Sequence, residues 1–146
     1  MKLVLLSLLL ALVVLTGYST SAGASTSSPS SRETARSFCG VAHSVARDIV
    51  NSTAISNGLP ANIKIFYEKI AAAEPALLAS APGPIKSDLK PVFGFVNLLI
   101  VDFKKVSWNP RRLTPYYPTL IARARTVQTP LHALKVYFNT TCKLNV

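Results

Sequence analysis

The chain has 146 residues, of which 49% are hydrophobic, and it carries 16 Lys and Arg against 6 Asp and Glu, for a formal net charge of +10. A chain of this length can bury one compact apolar core, which excludes a two-domain protein. The positive charge is compatible with a solvated surface and with an anionic partner, so charge alone assigns no function.

The first 24 residues have the three parts of an export signal. Lys2 supplies the positive start, residues 3–15 are almost wholly apolar, and Ala22 to Ala24 offer small residues for cleavage. The apolar run is shorter than the roughly 20 residues that a membrane-spanning helix needs. We therefore expect a signal peptide over residues 1–24, a secreted product, and no spanning helix in the mature chain.

Residues 25–31 belong to a stretch that is nearly all Ser, Thr, Gly, Ala and Pro. Such a segment buries too little apolar surface to offset the entropy lost on ordering it. We expect a flexible lead-in over residues 25–31 and a helical domain over residues 32–146.

The domain begins with two segments in which apolar residues recur at spacings of three and four, the period of an amphipathic helix. The first helix is expected from about Ser31 to Asn51. The second follows Pro60 and should kink or end at Pro75, because proline lacks the amide donor that would reach back four residues.

The third segment has the clearest apolar stripe in the chain. Its members are Ile85, Leu89, Phe93, Val96, Ile100, Phe103 and Val106. The helix starts either with a cap at Ser87 or Asp88, or at Pro84, and in the second case Pro91 must kink it.

Two further helical segments complete the domain. Trp108 follows the third helix, and we expect its side chain to close the apolar end of the bundle rather than to serve as an exposed recognition residue. A fourth segment begins near Pro115, and a last helix begins with Thr129 as its cap and Pro130 as its first residue. The pattern predicts an all-α fold, a four- or five-helix bundle.

Cys39 and Cys142 are the only cysteines in the chain. An exported chain with an even number of cysteines usually joins them. Cys142 shares a helix face with Leu134 and Phe138, and Cys39 lies at the edge of the first apolar stripe, so both thiols can point inward. We expect one disulfide between the first and last helices, and in the chain-entropy model a loop of about 100 residues contributes on the order of 4 to 5 kcal/mol.

This layout resembles a group of small secreted two-cysteine helical proteins of actinobacteria. The resemblance rests on Phe38-Cys39 in the first helix, on residues 85–90 after a proline-rich break, and on residues 134–142 at the end. Many proteins of that group have glycine directly after the second cysteine, where this chain has Lys143. The resemblance implies a secreted, helical, disulfide-closed protein of uncharacterised function, and it transfers no active site.

A search for catalytic chemistry finds little. His43 and His132 lie in no recognisable nucleophile motif, and the six carboxylates are scattered singly along the chain. No spacing suits a zinc site or a phosphate-binding loop. We expect a protein that is not an enzyme and that has no cofactor and no bound metal.

After Asp102 the sequence contains no acidic residue. The cations that follow are Lys104, Lys105, Arg111, Arg112, Arg123, Arg125, Lys135 and Lys143. Their potential attracts anionic cell-wall polymer or lipid head groups, and the attraction weakens as salt rises. We expect a monomeric cell-envelope interaction protein with a basic C-terminal surface and no nucleic-acid partner; a solvated face without any partner is the other reading of the same charges.

The alternative function is a carrier of a small hydrophobic or haem-like ligand. His43 and His132 lie on helices that the disulfide would bring together, and Tyr137 lies near them in sequence. Histidine and tyrosine are known axial ligands of haem iron. An enclosed apolar cavity would favour the carrier, and a filled core with a basic face would favour the envelope binder.

Overall fold

The computed structural model describes residues 29–51 and 59–144, and over these residues the chain is all-helical. The α-helices are α1 (Pro29–Asn51), α2 (Pro60–Ser80), α3 (Gly83–Lys105), α4 (Tyr117–Thr126) and α5 (Gln128–Thr140). Two short 3-10 turns, Pro110–Arg112 and Thr114–Tyr116, connect α3 to α4. The predicted bundle of four or five helices is confirmed. The signal peptide over residues 1–24 and residues 25–28 of the lead-in lie outside the described residues.

The first two helices extend beyond their predicted ends. Helix α1 begins at Pro29, two residues before the predicted start, because a proline without an amide donor suits the first turn of a helix. Helix α2 continues through Pro75 to Ser80, so this proline does not end it. Leu77 and Ala81 are buried beyond it, and their burial offsets the one helical hydrogen bond that proline removes.

Helices α3 and α5 also begin earlier than their cap residues suggest. Helix α3 starts at Gly83, so Ser87 does not cap it; instead the Ser87 hydroxyl donates to the Gly83 carbonyl at 3.2 Å. Pro91 therefore lies inside α3. Helix α5 starts at Gln128, and Thr129 lies in its first turn rather than at its N-cap.

The core consists of two apolar clusters, and α3 contributes to both. The first cluster contains Phe38, Ala42, Leu77, Ala81, Ile85, Leu89, Phe93, Leu134 and Cys142. The second contains Ile63, Tyr67, Ile100, Phe103, Val106 and Leu113. Of the seven positions in the predicted stripe of the third segment, six are buried and Val96 is half-buried, so the stripe is confirmed.

The helices pack as a series in which α1 contacts α2, α2 contacts α3, and α3 contacts α5. Helices α1 and α5 meet where Phe38 contacts the rings of Tyr137 and Phe138. Their junction holds the predicted disulfide, whose two Cα atoms, those of Cys39 and Cys142, lie 5.0 Å apart. The disulfide therefore joins the two ends of the series.

Phe38 forms the apolar centre of this junction. Its side chain is 0% exposed, and its ring stacks on Phe138 with 5.8 Å between the ring centroids. Tyr137 meets the same ring edge-on at 5.9 Å. Aromatic pairs in such geometries add to the stabilisation that burial alone gives, so the disulfide lies against a packed core.

Tyr67 makes the stability of the second cluster depend on pH. The side chain is buried against the rings of Phe66 and Phe103, and burial raises the pKa of its hydroxyl to about 12. The unfolded chain releases this proton near pH 10, whereas the folded chain keeps it. The contribution of Tyr67 to the free energy of unfolding is therefore fully present below pH 10. It is lost between pH 10 and pH 12, and the free energy of unfolding falls by on the order of 2 to 3 kcal/mol.

Urea unfolding of wild type and Tyr67→Phe at pH 7, 9, 10 and 11 measures this contribution. We expect the two proteins to differ little at pH 7, because phenylalanine keeps the ring, and the variant to lose less stability between pH 9 and pH 11. Parallel declines in the two proteins would contradict the assignment.

Candidate anion-binding surface

The structure places the cations that follow Asp102 at several separate sites. Lys104 and Lys105 end α3, and Arg111 and Arg112 lie on the first 3-10 turn; these four residues form what we call the basic corner. The other four are Arg123 and Arg125 in the last turn of α4, Lys135 within α5, and Lys143 after α5. All eight side chains are exposed except that of Lys135, which is half-buried.

These cations do not form one continuous face. The basic corner adjoins the second apolar cluster, whereas Lys143 follows Cys142 at the first cluster. Along α3, Phe93 of the first cluster and Lys104 are separated by about 16 Å of helix. The cations that follow Asp102 are therefore distributed over two parts of the bundle, because the chain after Asp102 passes from the second cluster to the first.

The basic corner begins with a tightly hydrogen-bonded helix end. The Trp108 amide donates to the Phe103 carbonyl at 2.8 Å, and the Ser107 amide donates to the Lys104 carbonyl at 3.2 Å. This pair of bonds is the Schellman motif. The Trp108 ring stacks on Phe103 with the centroids 5.7 Å apart, so Trp108 closes the apolar end of α3 as expected.

This turn uses backbone conformations that non-glycine residues seldom adopt. Ser107 has a φ of 52° and Trp108 a φ of 61°, both in the left-handed region. Each such residue costs roughly 1 to 2 kcal/mol relative to the right-handed region. The stacking of Trp108 and the two hydrogen bonds of the turn offset this cost.

The 3-10 turn that carries the two arginines is also fixed. The Asn109 side-chain oxygen accepts from the Arg111 amide at 3.0 Å, and the Asn109 carbonyl accepts from the Arg112 amide at 3.0 Å. Pro110 restricts the first position of the turn, and Leu113, only 1% exposed, anchors its end in the second cluster. Arg111 and Arg112 therefore project from an ordered backbone.

One of the corner's cations is already neutralised. Asp102 is 3% exposed, and its carboxylate accepts a hydrogen bond of 2.7 Å from the Lys105 ammonium. The same ammonium lies 5.1 Å from the centroid of the Tyr116 ring. The hydrogen bond to Asp102 raises the pKa of Lys105. The charge that the corner presents to solvent thus comes from Lys104, Arg111 and Arg112. The pairing of Asp102 with Lys105 could have been predicted from the sequence, because residues three apart on a helix are neighbours.

A third left-handed residue lies directly after the second cysteine. Lys143 has a φ of 56°, and beyond it the Leu144 amide donates to the Phe138 carbonyl at 3.0 Å. Glycine adopts this conformation without steric cost, whereas a lysine at this position is strained.

The three residues of the alternative ligand pocket lie in different surroundings. His43 Nε2 lies 2.7 Å from the carbonyl oxygen of Cys142, and Tyr137 packs beside Phe38, where partial burial raises the pKa of its hydroxyl. His132 is exposed and lies ten residues before Cys142, about 15 Å along α5. The structure therefore does not bring His132 close to His43, because the two histidines lie at different positions along the axes of α1 and α5.

An open depression of about 450 Å³ lies between the start of α1 and the end of α2. It is lined by Glu33, Thr34, Ser37, Ala79 and Ser80, and by none of the three residues of the alternative pocket. Within residues 29–51 and 59–144, no group of three or more His, Cys, Asp or Glu is placed to hold a metal ion.

None of the helices in the described ranges is both long enough and apolar enough to cross a membrane.

Comparison of the chain with known protein families, with curated proteins and with solved structures finds no match. The basic corner is therefore the feature from which a function can be argued.

The left-handed turn at the corner predicts the effect of a glycine. Ser107→Gly should raise the free energy of unfolding by about 0.5 to 1 kcal/mol, because relief of the left-handed strain exceeds the entropy that glycine adds to the unfolded chain. Ser107→Ala, which keeps a Cβ, is the matched control and should bring no gain. Urea unfolding at pH 7 checks both variants, and an equal gain for alanine, or none for glycine, would contradict the strained turn.

Proposed function

We propose that the protein is exported and acts without catalysis, by binding an anionic polymer of the cell envelope through the cations that follow Asp102. The observation that carries this proposal is that the last part of the sequence contains cations but no acidic residues. Eight cations follow Asp102 with no acidic residue among them, and seven of the eight are exposed. Asp102 itself is buried and paired with Lys105.

Export is supported by the covalent chemistry of the chain. A disulfide between Cys39 and Cys142 persists in an oxidising compartment outside the cytoplasm. The apolar start of the sequence with its small-residue cleavage pattern fits the same compartment. The resemblance to secreted two-cysteine proteins of actinobacteria agrees with it.

The arrangement of the cations favours a polymer over a lipid surface. The basic corner and Lys143 adjoin different apolar clusters, at separate places on the bundle. A flat bilayer meets one side of a rigid protein at a time, whereas a flexible polyanion can follow cations around it. Anionic lipid head groups are therefore the competing partner that the experiment has to exclude.

The test is adsorption of residues 25–146 to isolated anionic cell-wall material in 0.15 M salt. We expect retention at this salt concentration and release as the salt is raised further, because added ions screen the attraction. Lys104→Gln/Arg111→Gln/Arg123→Gln/Lys143→Gln should abolish most of the retention.

The matched control removes two Lys and two Arg from the part of the chain in which acidic residues are interspersed. Arg36, Arg47, Lys86 and Lys90 are exposed there, and their replacement by Gln should leave most of the retention intact. Equal losses in the two variants, complete release of wild type at 0.15 M salt, or binding to anionic lipid vesicles in place of wall material would each refute the proposal.

A further inference from the structure

We infer that the basic corner is the main polymer-binding site, to which the other cations after Asp102 add smaller contributions, and that its ligand carries repeated oxyanions such as phosphodiester or carboxylate groups. The inference rests on the proposed function and assigns it to particular residues. It follows from the density of charge at the corner, from the order of its backbone, and from the directions in which its arginines project.

The corner has the closest grouping of uncompensated cations after Asp102. Lys104, Arg111 and Arg112 lie within nine residues of chain that fold into a helix end and a 3-10 turn. The Asn109 amide donates to the Val106 carbonyl at 3.1 Å, and the Arg112 amide donates to the Asn109 carbonyl at 3.0 Å, so the chain between these cations is folded back on itself. Arg123 and Arg125, by contrast, are ten or more residues along the chain from the next Lys or Arg on either side.

The backbone of the corner is ordered before any ligand arrives. Trp108 stacks on Phe103, Asn109 caps the 3-10 turn, and Leu113 anchors that turn in the second cluster. Ordering a loop at the moment of binding reduces affinity, because the entropy lost has to be offset by contacts. The corner loses little backbone entropy on binding, which distinguishes it from a flexible basic tail.

The two arginines project in different directions. A 3-10 helix has three residues per turn, so the side chains of Arg111 and Arg112 leave the backbone about 120° apart. Side chains that diverge in this way suit separate anionic groups rather than one small anion. A ligand that meets both of them and Lys104 therefore carries its charges at intervals along a chain.

The chemistry of the guanidinium group narrows the ligand further. Its planar fork donates two parallel hydrogen bonds to the paired oxygens of a phosphate or a carboxylate. Both oxyanions occur in repeating polymers, and the fork accepts either. The ligand class is thus a flexible polyanion with phosphate or carboxylate groups, and the experiment distinguishes the two.

The test measures binding of residues 25–146 to long-chain polyphosphate and to polyglutamate in 0.15 M salt, by isothermal titration calorimetry. We expect Arg111→Gln/Arg112→Gln to weaken binding of the preferred polymer roughly 10- to 30-fold, because the variant loses two contacts between a cation and the anionic polymer. Arg123→Gln/Arg125→Gln removes the same two charges from exposed arginines of α4 and should weaken it less than about threefold.

The outcomes separate this inference from the proposed function. Equal losses in the two double variants would overturn the corner as the site, although retention of wild type on wall material would still stand. Displacement of the polymer by orthophosphate at an equal concentration of phosphate groups would overturn the requirement for repeated charges. Failure of wild type to bind either polymer would overturn the ligand class, and thermal unfolding of both variants checks that each is folded.

Discussion

The Cys39–Cys142 disulfide joins α1, the first helix, to the turn that directly follows α5, the last helix. Helices α1, α2, α3 and α5 pack as a series, which leaves α1 and α5 as its ends. The bond lies beside Phe38, whose ring is fully buried against α5. A crosslink over about 100 residues contributes on the order of 4 to 5 kcal/mol, against about 5 to 15 kcal/mol for the net stability of a typical domain. The bond constrains α1 directly, because this helix carries one of the two cysteines.

Helix α3 connects this junction to the basic corner. Its first half lies in the cluster that contains the disulfide, and its second half lies in the cluster around Tyr67 and Phe103. The corner is built on the end of α3 by the stacking of Trp108 and the burial of Leu113. The cations of the basic corner therefore lie beside the second cluster, whereas Lys143 lies in a left-handed turn beside the disulfide in the first cluster.

The α3 stripe could be predicted from the sequence because it depends on the local spacing of apolar residues, and the disulfide because the chain has only two cysteines, both on apolar helix faces. The continuation of α2 through Pro75 could not, because tertiary burial outweighs one lost hydrogen bond. The left-handed turns at Ser107, Trp108 and Lys143 could not either, because only contacts made elsewhere in the fold hold non-glycine residues there. The sequence indicated which cations follow the last acidic residue, but it did not show that Asp102 neutralises Lys105, and the grouping at the corner depends on how α3 ends.

Hydrogen exchange of the oxidised protein and of Cys39→Ser/Cys142→Ser tests the role of the disulfide most directly. If the bond holds the α1–α5 junction, its removal should abolish most protection in α1 and lower it in α5, while the α2 and α3 amides around Tyr67 and Phe103 stay protected the longest. Unchanged protection in α1, or a uniform loss across all helices, would contradict the account.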